Sequence, residues 1–257
     1  MKNHATQDHF LEGRLHFRQP RDGYRFSIDA VLVSACVTPL PQHMVIDLGT
    51  GCGVIPIILA HRHPGICVVG VEIQTELAEL ARSNIAANHM QDRIVVIEAD
   101  MRKLDSRRFN QSGDWVVCNP PYRRSCSGRV NPDGQRAAAR HEIHINLKEL
   151  VRTARALLKM GGRFVTIYPC ERLVDLISAM RDTGIEPKWL RTVHSFEGQK
   201  AKWILVQGTK GGRPDIEIRD PLILYHSDGT YSAEVQSMMA ESPDADSAPT
   251  SPPGSSA

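Results

Sequence analysis

Regular alternation of strand and helix signals places this 257-residue chain in the α/β class, with a doubly wound, mostly parallel sheet. Three observations predict it. Apolar runs of strand length recur between longer segments of helical periodicity. A glycine-rich turn, "LGTGCG", stands where the first strand of the alternating series gives way to a helix. The last two apolar runs have no helix between them, so they pair antiparallel.

Residues 1–28 read as an N-terminal hairpin-like extension, with a short strand in "RLHFRQ" and a hairpin turn in "PRDGYRF". Arg14, Arg18, Arg21 and Arg25 interleave there with Phe10, Phe17, Tyr24 and Phe26. The main domain covers 29–231. "SIDAVLVSACV" opens it as a helix, with Asp29 near the start in a capping position. "MVIDLG" is a buried strand, and an apolar helix runs from "TGCG" to about Ala60. "CVVGVEI" is a strand, followed by a helix in "QTELAELARSNIAANH" with Leu77, Leu80, Ala81, Ile85 and Asn88 at helical spacing. "RIVVIEA" and "DWVVCNP" are further strands. "NLKELVRTARALLK" is a helix stopped by Gly161-Gly162, "RFVTIYP" a strand, and "ERLVDLISAMRDTG" a helix. "IEPKWLRTVHS" and "AKWILVQGTK" close the sheet. Residues 232–257, ending "ESPDADSAPTSPPGSSA", offer too little apolar surface to offset ordering and are expected to be a disordered tail.

Bulk composition narrows the class of function. A hydrophobic content of 41% with 23% charged residues is that of a globular protein, and a net charge of +2 favours no class of partner. Cys36, Cys52, Cys67, Cys118, Cys126 and Cys170 form no CxxC pair and no zinc-type spacing with histidine, so no metal is expected. The N-terminus lacks an apolar signal core, and no run reaches the roughly 18 apolar residues of a membrane helix. These features point to a cytoplasmic protein with no membrane partner.

Gly49, Gly51 and Gly53 lie at the carboxyl end of the first core strand, where doubly wound sheets hold ligands. The dinucleotide fingerprint GxGxxG would require glycine at 54, which is Val54; the spacing here is GxGxG. Glu72 ends the next strand, where a carboxylate can accept both hydroxyls of a ribose. Asp100 ends the third, where it could accept from an adenine amino group. Each acid could equally be a solvated strand end, but three successive strand ends together favour an adenosine-containing ligand.

The stretch "DWVVCNPPYRR" ends a buried run on Asn119-Pro120-Pro121-Tyr122. Two prolines cannot donate to a ladder, and each extends the residue before it. The chain thus leaves the strand stiff, holding an amide, two carbonyls and an aromatic ring in fixed order. In their order, "VIDLGTGCG", "GVEI", "EAD" and "NPPY" resemble the motifs of class I S-adenosylmethionine-dependent methyltransferases. "YRFSIDAVLVSA", "NPPYRRSCSGRVNPDGQRAAARHE" and "KGGRPDIEIRDPLILY" are similar to the tRNA(1)(Val) adenine-37 N6-methyltransferase family, over roughly residues 24–231. The resemblance implies a seven-stranded, Rossmann-like sheet with an antiparallel last strand. It also implies S-adenosylmethionine as cofactor, held by Gly49, Gly51, Gly53, Glu72 and Asp100, with Asp47 near its methionine end. Asp29 is either a second group at that end or only the helix cap.

An exocyclic adenine amine is a poor nucleophile because its lone pair is delocalised into the ring. Hydrogen bonds from its N–H groups to the Asn119 side chain and the Pro120 carbonyl would help localise that pair, and Tyr122 could stack on the base. Arg123, Arg124, Arg129, Arg136 and Arg140 follow in a long loop suited to phosphates, which a solvated charged face would equally produce. Lys200, Lys202, Lys210 and Arg213 suggest a further basic patch with the same alternative. The implied partner is tRNA, since an unpaired anticodon-loop base is cheaper to extrude than a paired one. Two rivals remain. A glutamine-amide methyltransferase of release factors uses the same NPPY chemistry but carries a sizeable helical N-terminal domain, whereas roughly 45 residues precede the first core strand here. A non-catalytic RNA-binding module would have no reason to retain Gly49, Gly51, Gly53, Glu72 and Asn119.

Overall fold

The computed structural model describes residues 5–10, 14–20, 28–104, 113–120 and 146–240. The expected turn in "PRDGYRF", Tyr122, the five loop arginines and the chain beyond 240 lie outside them.

A two-stranded antiparallel hairpin, β1 (Ala5–Phe10) and β2 (Leu15–Pro20), precedes the main body. Helix α1 (Ile28–Ala35) leads into β3 (Met44–Leu48), α2 (Val54–Arg62), β4 (Cys67–Glu72), α3 (Thr75–Ala87) and β5 (Ile94–Glu98). Strand β6 (Gly113–Cys118) is followed by α4 (Leu147–Leu157), β7 (Leu158–Pro169) and α5 (Leu173–Asp182). Strands β8 (Ile185–His194), β9 (Ala201–Lys210) and β10 (Glu217–Ile223) lead to α6 (Ala233–Met239). The sheet order is β10-β8-β9-β7-β6-β3-β4-β5. Only β9 runs antiparallel to its neighbours, β7 and β8, as the missing helix between the last two expected strands requires. The parallel strands therefore end at one edge of the sheet, and β9 starts there.

The sheet has eight strands rather than the seven expected. The extra one is β10, "EIRDPLI", parallel to β8 at the sheet margin. It has no strand signature because five of its seven residues face solvent and Pro221 interrupts it, with the register shifting between Arg219 and Leu222. A proline is tolerated in an edge strand at such an irregularity. The expected disordered tail also starts too early. Ser232 caps α6, Val235 is fully buried, and Arg191 grips Glu234 with both terminal nitrogens at 2.6 and 2.8 Å. That fork and one buried valine supply the ordering that composition alone did not suggest.

Each face of the sheet is covered by its own helix layer. Side chains of α1, α2, α3 and α6, including Leu32, Ile58, Ala81 and Val235, pack on one face. Leu150, Val151, Ala154 and Leu157 of α4, with Leu176 and Met180 of α5, fill the other. The apolar stripe of α4 repeats at helical spacing, and its start is fixed by a reciprocal cap. Asn146 accepts from Lys148 N–H at 3.1 Å while Glu149 accepts from Asn146 N–H at 3.3 Å.

The hairpin is attached by an unusual device. On β2, Leu15 and Phe17 are buried, while the backbone of the alternate residues faces two asparagines one turn apart on α3. Asn84 accepts Arg18 N–H at 2.8 Å and donates to the Arg18 carbonyl at 3.0 Å; Asn88 makes the same pair with His16 at 3.0 and 2.8 Å. The two side-chain amides thus substitute for a neighbouring strand. Asn84 also donates to the Cys52 carbonyl in the glycine turn at 2.9 Å. Asn84→Ala would remove three hydrogen bonds to backbone groups along a part-buried seam. It should lower unfolding stability by roughly 1–3 kcal/mol and speed protease cleavage of the N-terminal hairpin. Urea unfolding and limited proteolysis check this, and a midpoint equal to wild type would refute it.

Candidate active site

The glycine turn after β3 has the backbone that its sequence requires. Gly49, Gly51 and Gly53 all adopt positive φ (78°, 57° and 84°), a region costly for any residue with a Cβ. At Gly53 an added Cβ would also meet Ala81 Cβ at 3.2 Å, so this glycine lets α3 pack against the start of α2. At Gly51 an added Cβ would meet nothing within 4 Å, so the turn opens to the outside at its middle glycine.

Glu72 holds this turn in place. Its carboxylate, buried at the end of β4, accepts Gly51 N–H at 2.9 Å on one oxygen. The other oxygen accepts Ile73 and Gln74 N–H at 3.0 and 2.9 Å. Three donors occupy three of about four lone-pair sites. A ribose hydroxyl can take the remaining site, and a second would have to displace one backbone donor.

Asp47 lies fully buried beneath the turn, and neither of its carboxylate oxygens has a hydrogen-bond partner among the described residues. Burial pushes its pKa up to about 7; the nearby Thr50 hydroxyl opposes the rise without reaching full hydrogen-bond geometry, and the Glu72 charge adds to it. Thr50 itself packs against Gly70, where an added Cβ would lie 2.8 Å from the Thr50 hydroxyl oxygen. The glycine of "GVEI" is thus required by a close approach. Nothing among the described residues meets the demand of Asp47 for a cation or donor. A ligand carrying positive charge would.

Asp100 begins the short 3-10 turn Met101–Lys103 and accepts Arg102 N–H at 3.0 Å. The Arg102 guanidinium also grips it, at 2.7 Å from Nη2, and holds its carboxyl below the usual range. To accept from an adenine amine, Asp100 would have to share a carboxylate already engaged. Asp29 sits buried in the first turn of α1, in the same helix layer as α2. Cys118, the last residue of β6, donates its thiol to the Leu48 carbonyl at 3.0 Å, and burial keeps that thiol protonated.

Asn119 and Pro120 follow at once, half-buried at the sheet edge where β3 and β4 end. Strand β6 pairs directly with β3, so Asn119 leaves the sheet one strand from the glycine turn. Val117 faces the α1/α2 layer, and two residues on, the strand alternation puts Asn119 at a position facing the same layer. The structure therefore brings Asp47, the glycine turn, Glu72, Asp100 and Asn119 to one edge.

The basic patch expected from Lys200, Lys202, Lys210 and Arg213 divides in two. Lys200 and Lys202 lie at the start of β9, on the Asn119 edge, whereas Lys210 ends β9 at the opposite edge. Lys210 is buried there and donates to the Leu158 carbonyl at 2.6 Å, so it stabilises the fold. Sequence reading also passed over Thr50 and Asn84, because a hydroxyl inside a glycine motif and an amide on a helix carry no separate signal. Among the described residues no three His, Cys, Asp or Glu side chains lie close enough to hold a metal. No described helix is long and apolar enough to cross a membrane.

Known proteins resemble this chain in sequence and in fold. Residues 28–176 match the family described as Methyltransferase small domain. A tRNA1(Val) (adenine(37)-N6)-methyltransferase of Porphyromonas gingivalis is 35% identical over 240 residues, covering 88% of this chain and 91% of that protein. Another so named, from Aeromonas hydrophila, is 26% identical over 87% of this chain and 92% of its own length. Among solved structures, one described as a predicted O-methyltransferase of Agrobacterium tumefaciens superposes with a TM-score of 0.66 at 24% identity, covering 82% of this chain and 94% of that one. M. jannaschii TYW2, solved in complex with AdoMet, gives a TM-score of 0.55 at 15% identity over 81% of this chain and 86% of that one. At these identities the solved structures establish the fold. The open middle glycine, the Glu72 carboxylate and the uncompensated Asp47 suit a cationic adenosine cofactor, and with relatives of this similarity the chain belongs to the Methyltransferase small domain family of S-adenosylmethionine-dependent methyltransferases.

Proposed function

We propose that this protein transfers a methyl group from S-adenosylmethionine to the exocyclic N6 of adenine 37 in the anticodon loop of tRNA1(Val). The observation that carries the reading is Asn119-Pro120 leaving β6 one strand from the glycine turn, at the same sheet edge. The relative from Porphyromonas gingivalis bears the name of this reaction along nearly the whole chain. Neither a glutamine amide acceptor nor a non-catalytic role has a comparable observation in its favour.

Bound in the turn, S-adenosylmethionine supplies a methyl group already activated by its sulfonium. The chain supplies the rest. Gly51 leaves room for the cofactor, Glu72 accepts from its ribose, and Asp100 is the candidate acceptor for its adenine amine. Asp47 is the candidate counter-charge for its methionine end, and Asp29 is a second candidate for that end. The Asn119 side chain and the Pro120 carbonyl accept the two N–H bonds of the target amine, which turns its lone pair toward the methyl group. Both acceptors are fixed by the proline pair before the base arrives, so little reorganisation is needed during reaction. The amine proton becomes acidic once the nitrogen is alkylated and passes to water without a dedicated base. Tyr122 is assigned to stack on the base. Arg123, Arg124, Arg129, Arg136 and Arg140 are assigned to the RNA phosphates. We also assign the protein to the cytoplasm, the compartment in which it would meet a tRNA substrate.

The direct test offers labelled S-adenosylmethionine with unmodified tRNA and with a release factor in parallel, then identifies the modified residue by mass. N6-methyladenosine in the anticodon loop is expected; label in a glutamine would overturn the substrate. Asn119→Ala should lower kcat roughly 100-fold or more while calorimetry finds cofactor affinity nearly unchanged. Loss of cofactor binding in that variant would remove Asn119 from the catalytic role. The folded pKa of Asp47, about 7, lies above the ordinary 3.8, so folding takes up a proton between these values. The ligand-free protein should therefore lose stability as pH rises from about 4 through 7. The stability advantage of Asp47→Asn over wild type should grow from pH 5 to pH 8 in urea unfolding, and a constant difference would count against an uncompensated Asp47.

A further inference from the structure

The β8–β9 turn, residues 195–200, and the segment after β10 lie at the same sheet edge as Asn119. Trp203 pairs with Pro169 at the end of β7, and His194 and Ile223 are the last residues of β8 and β10. Strands stand about 4.8 Å apart, so from β6 it is about 10 Å to Trp203, about 14 Å to the turn after β8 and about 19 Å to Tyr225. Along that line the edge is aromatic. Phe196 lies 5.6 Å from Tyr225, centroid to centroid, and Tyr225 is stacked 5.0 Å from Tyr231. Trp203, Tyr225 and Tyr231 all pack against the α1/α2 layer, the side that the Asn119 position faces, and all remain half-buried.

Cations accompany the rings. The exposed Lys202 ammonium is 5.5 Å from the Trp203 ring, and exposed Lys200 has no acidic side chain within ion-pair distance among the described residues. The acid nearest in sequence is Glu197, exposed in the same turn. The turn is rigid before any partner arrives. Gln199 N–H donates to the Phe196 carbonyl at 3.2 Å, Gly198 takes a φ of 74°, and Tyr225 N–H donates to the Ser195 carbonyl at 3.0 Å. The His194 ring joins the Gln199 carbonyl at 2.6 Å and the Thr192 hydroxyl at 3.0 Å.

A row of half-exposed rings is more than the fold needs to close its core. Beside two exposed lysines it is the surface that unstacked RNA bases and their phosphates require. We infer that Phe196, Trp203, Lys200 and Lys202, backed by Tyr225 and Tyr231, form a platform that binds the single-stranded nucleotides flanking the target adenine. The inference rests on the reading of the substrate as RNA. Phe196 and Trp203 offer ring faces to neighbouring bases, the lysines meet the phosphates between them, and Asn119 at the end of the row receives the extruded base.

The test uses the full chain and a fluorescent anticodon stem-loop RNA, with the stem alone as a blunt duplex for comparison. Anisotropy should find stem-loop affinity reduced at least tenfold in the doubly substituted Lys200→Glu, Lys202→Glu protein, with duplex affinity less affected. In the variant Lys200→Ala, Lys202→Ala the slope of log affinity against log salt should flatten by about 1.4, two phosphate contacts at about 0.7 each. Phe196→Ala, which removes one stacking partner, should weaken stem-loop binding about 5- to 100-fold. Cofactor affinity should not change, and tRNA KM should rise with kcat at saturation retained. Stem-loop affinity and salt slope equal to wild type in these variants would overturn the platform, even with wild-type methylation of tRNA intact. Loss of binding in the variants beside a wild type that binds RNA but forms no N6-methyladenosine would keep the platform and overturn the proposed reaction. A wild type that does not bind the stem-loop at all would overturn both.

Discussion

The carboxylate of Glu72 organises the site. It ends β4, and its hydrogen bonds fasten the turn after β3 and the first residues leading into α3. Without it Gly51 N–H would lose its partner and three alternate positive-φ glycines would have less to hold them in one conformation. The same group is the natural acceptor for a ribose. One ribose hydroxyl would take the remaining lone-pair site, whereas a second would compete with the backbone donors already bound.

Asp47 presents the opposite situation. Glu72 is nearly saturated with donors, while Asp47 is fully buried with none among the described residues. Burying a carboxyl without partners costs stability, and the upward shift of its pKa reduces that cost by keeping the group protonated more often. A positively charged ligand end would remove the penalty. The unmet demand of Asp47 among the described residues would therefore favour binding of such a ligand.

The regions around this centre are tied to it by polar contacts rather than by more core. Asn84 and Asn88 attach the N-terminal hairpin through amide pairs that imitate a strand, and Asn84 reaches the glycine turn as well. At the other margin the Arg191–Glu234 fork and the Ser232 cap secure α6 beside β10. Both attachments rest on a few directed polar contacts, so the position of each segment depends on named side chains rather than on buried area.

The strand–helix alternation from "MVIDLG" to "AKWILVQGTK" was legible because period-2 and period-3.6 patterns are local properties of the chain. The positions of Gly49, Gly51, Gly53, Glu72 and Asn119 at strand ends were legible for the same reason, since their spacing follows from one βαβ unit after another. Edge strand β10 was not legible: "EIRDPLI" is mostly exposed and broken by Pro221, and it becomes a strand only because β8 offers a free edge. Helix α6 was hidden likewise, since its order comes from Arg191, 43 residues away. Lys200 and Lys210 looked equivalent in sequence, yet the length of β9 sends them to opposite edges, one exposed and one donating to a buried carbonyl. Local pattern thus determined the elements and the chemistry each strand end carries. Which distant groups meet, which acids are satisfied and which are not, was decided only when the chain folded, because those energies arise between residues far apart in sequence.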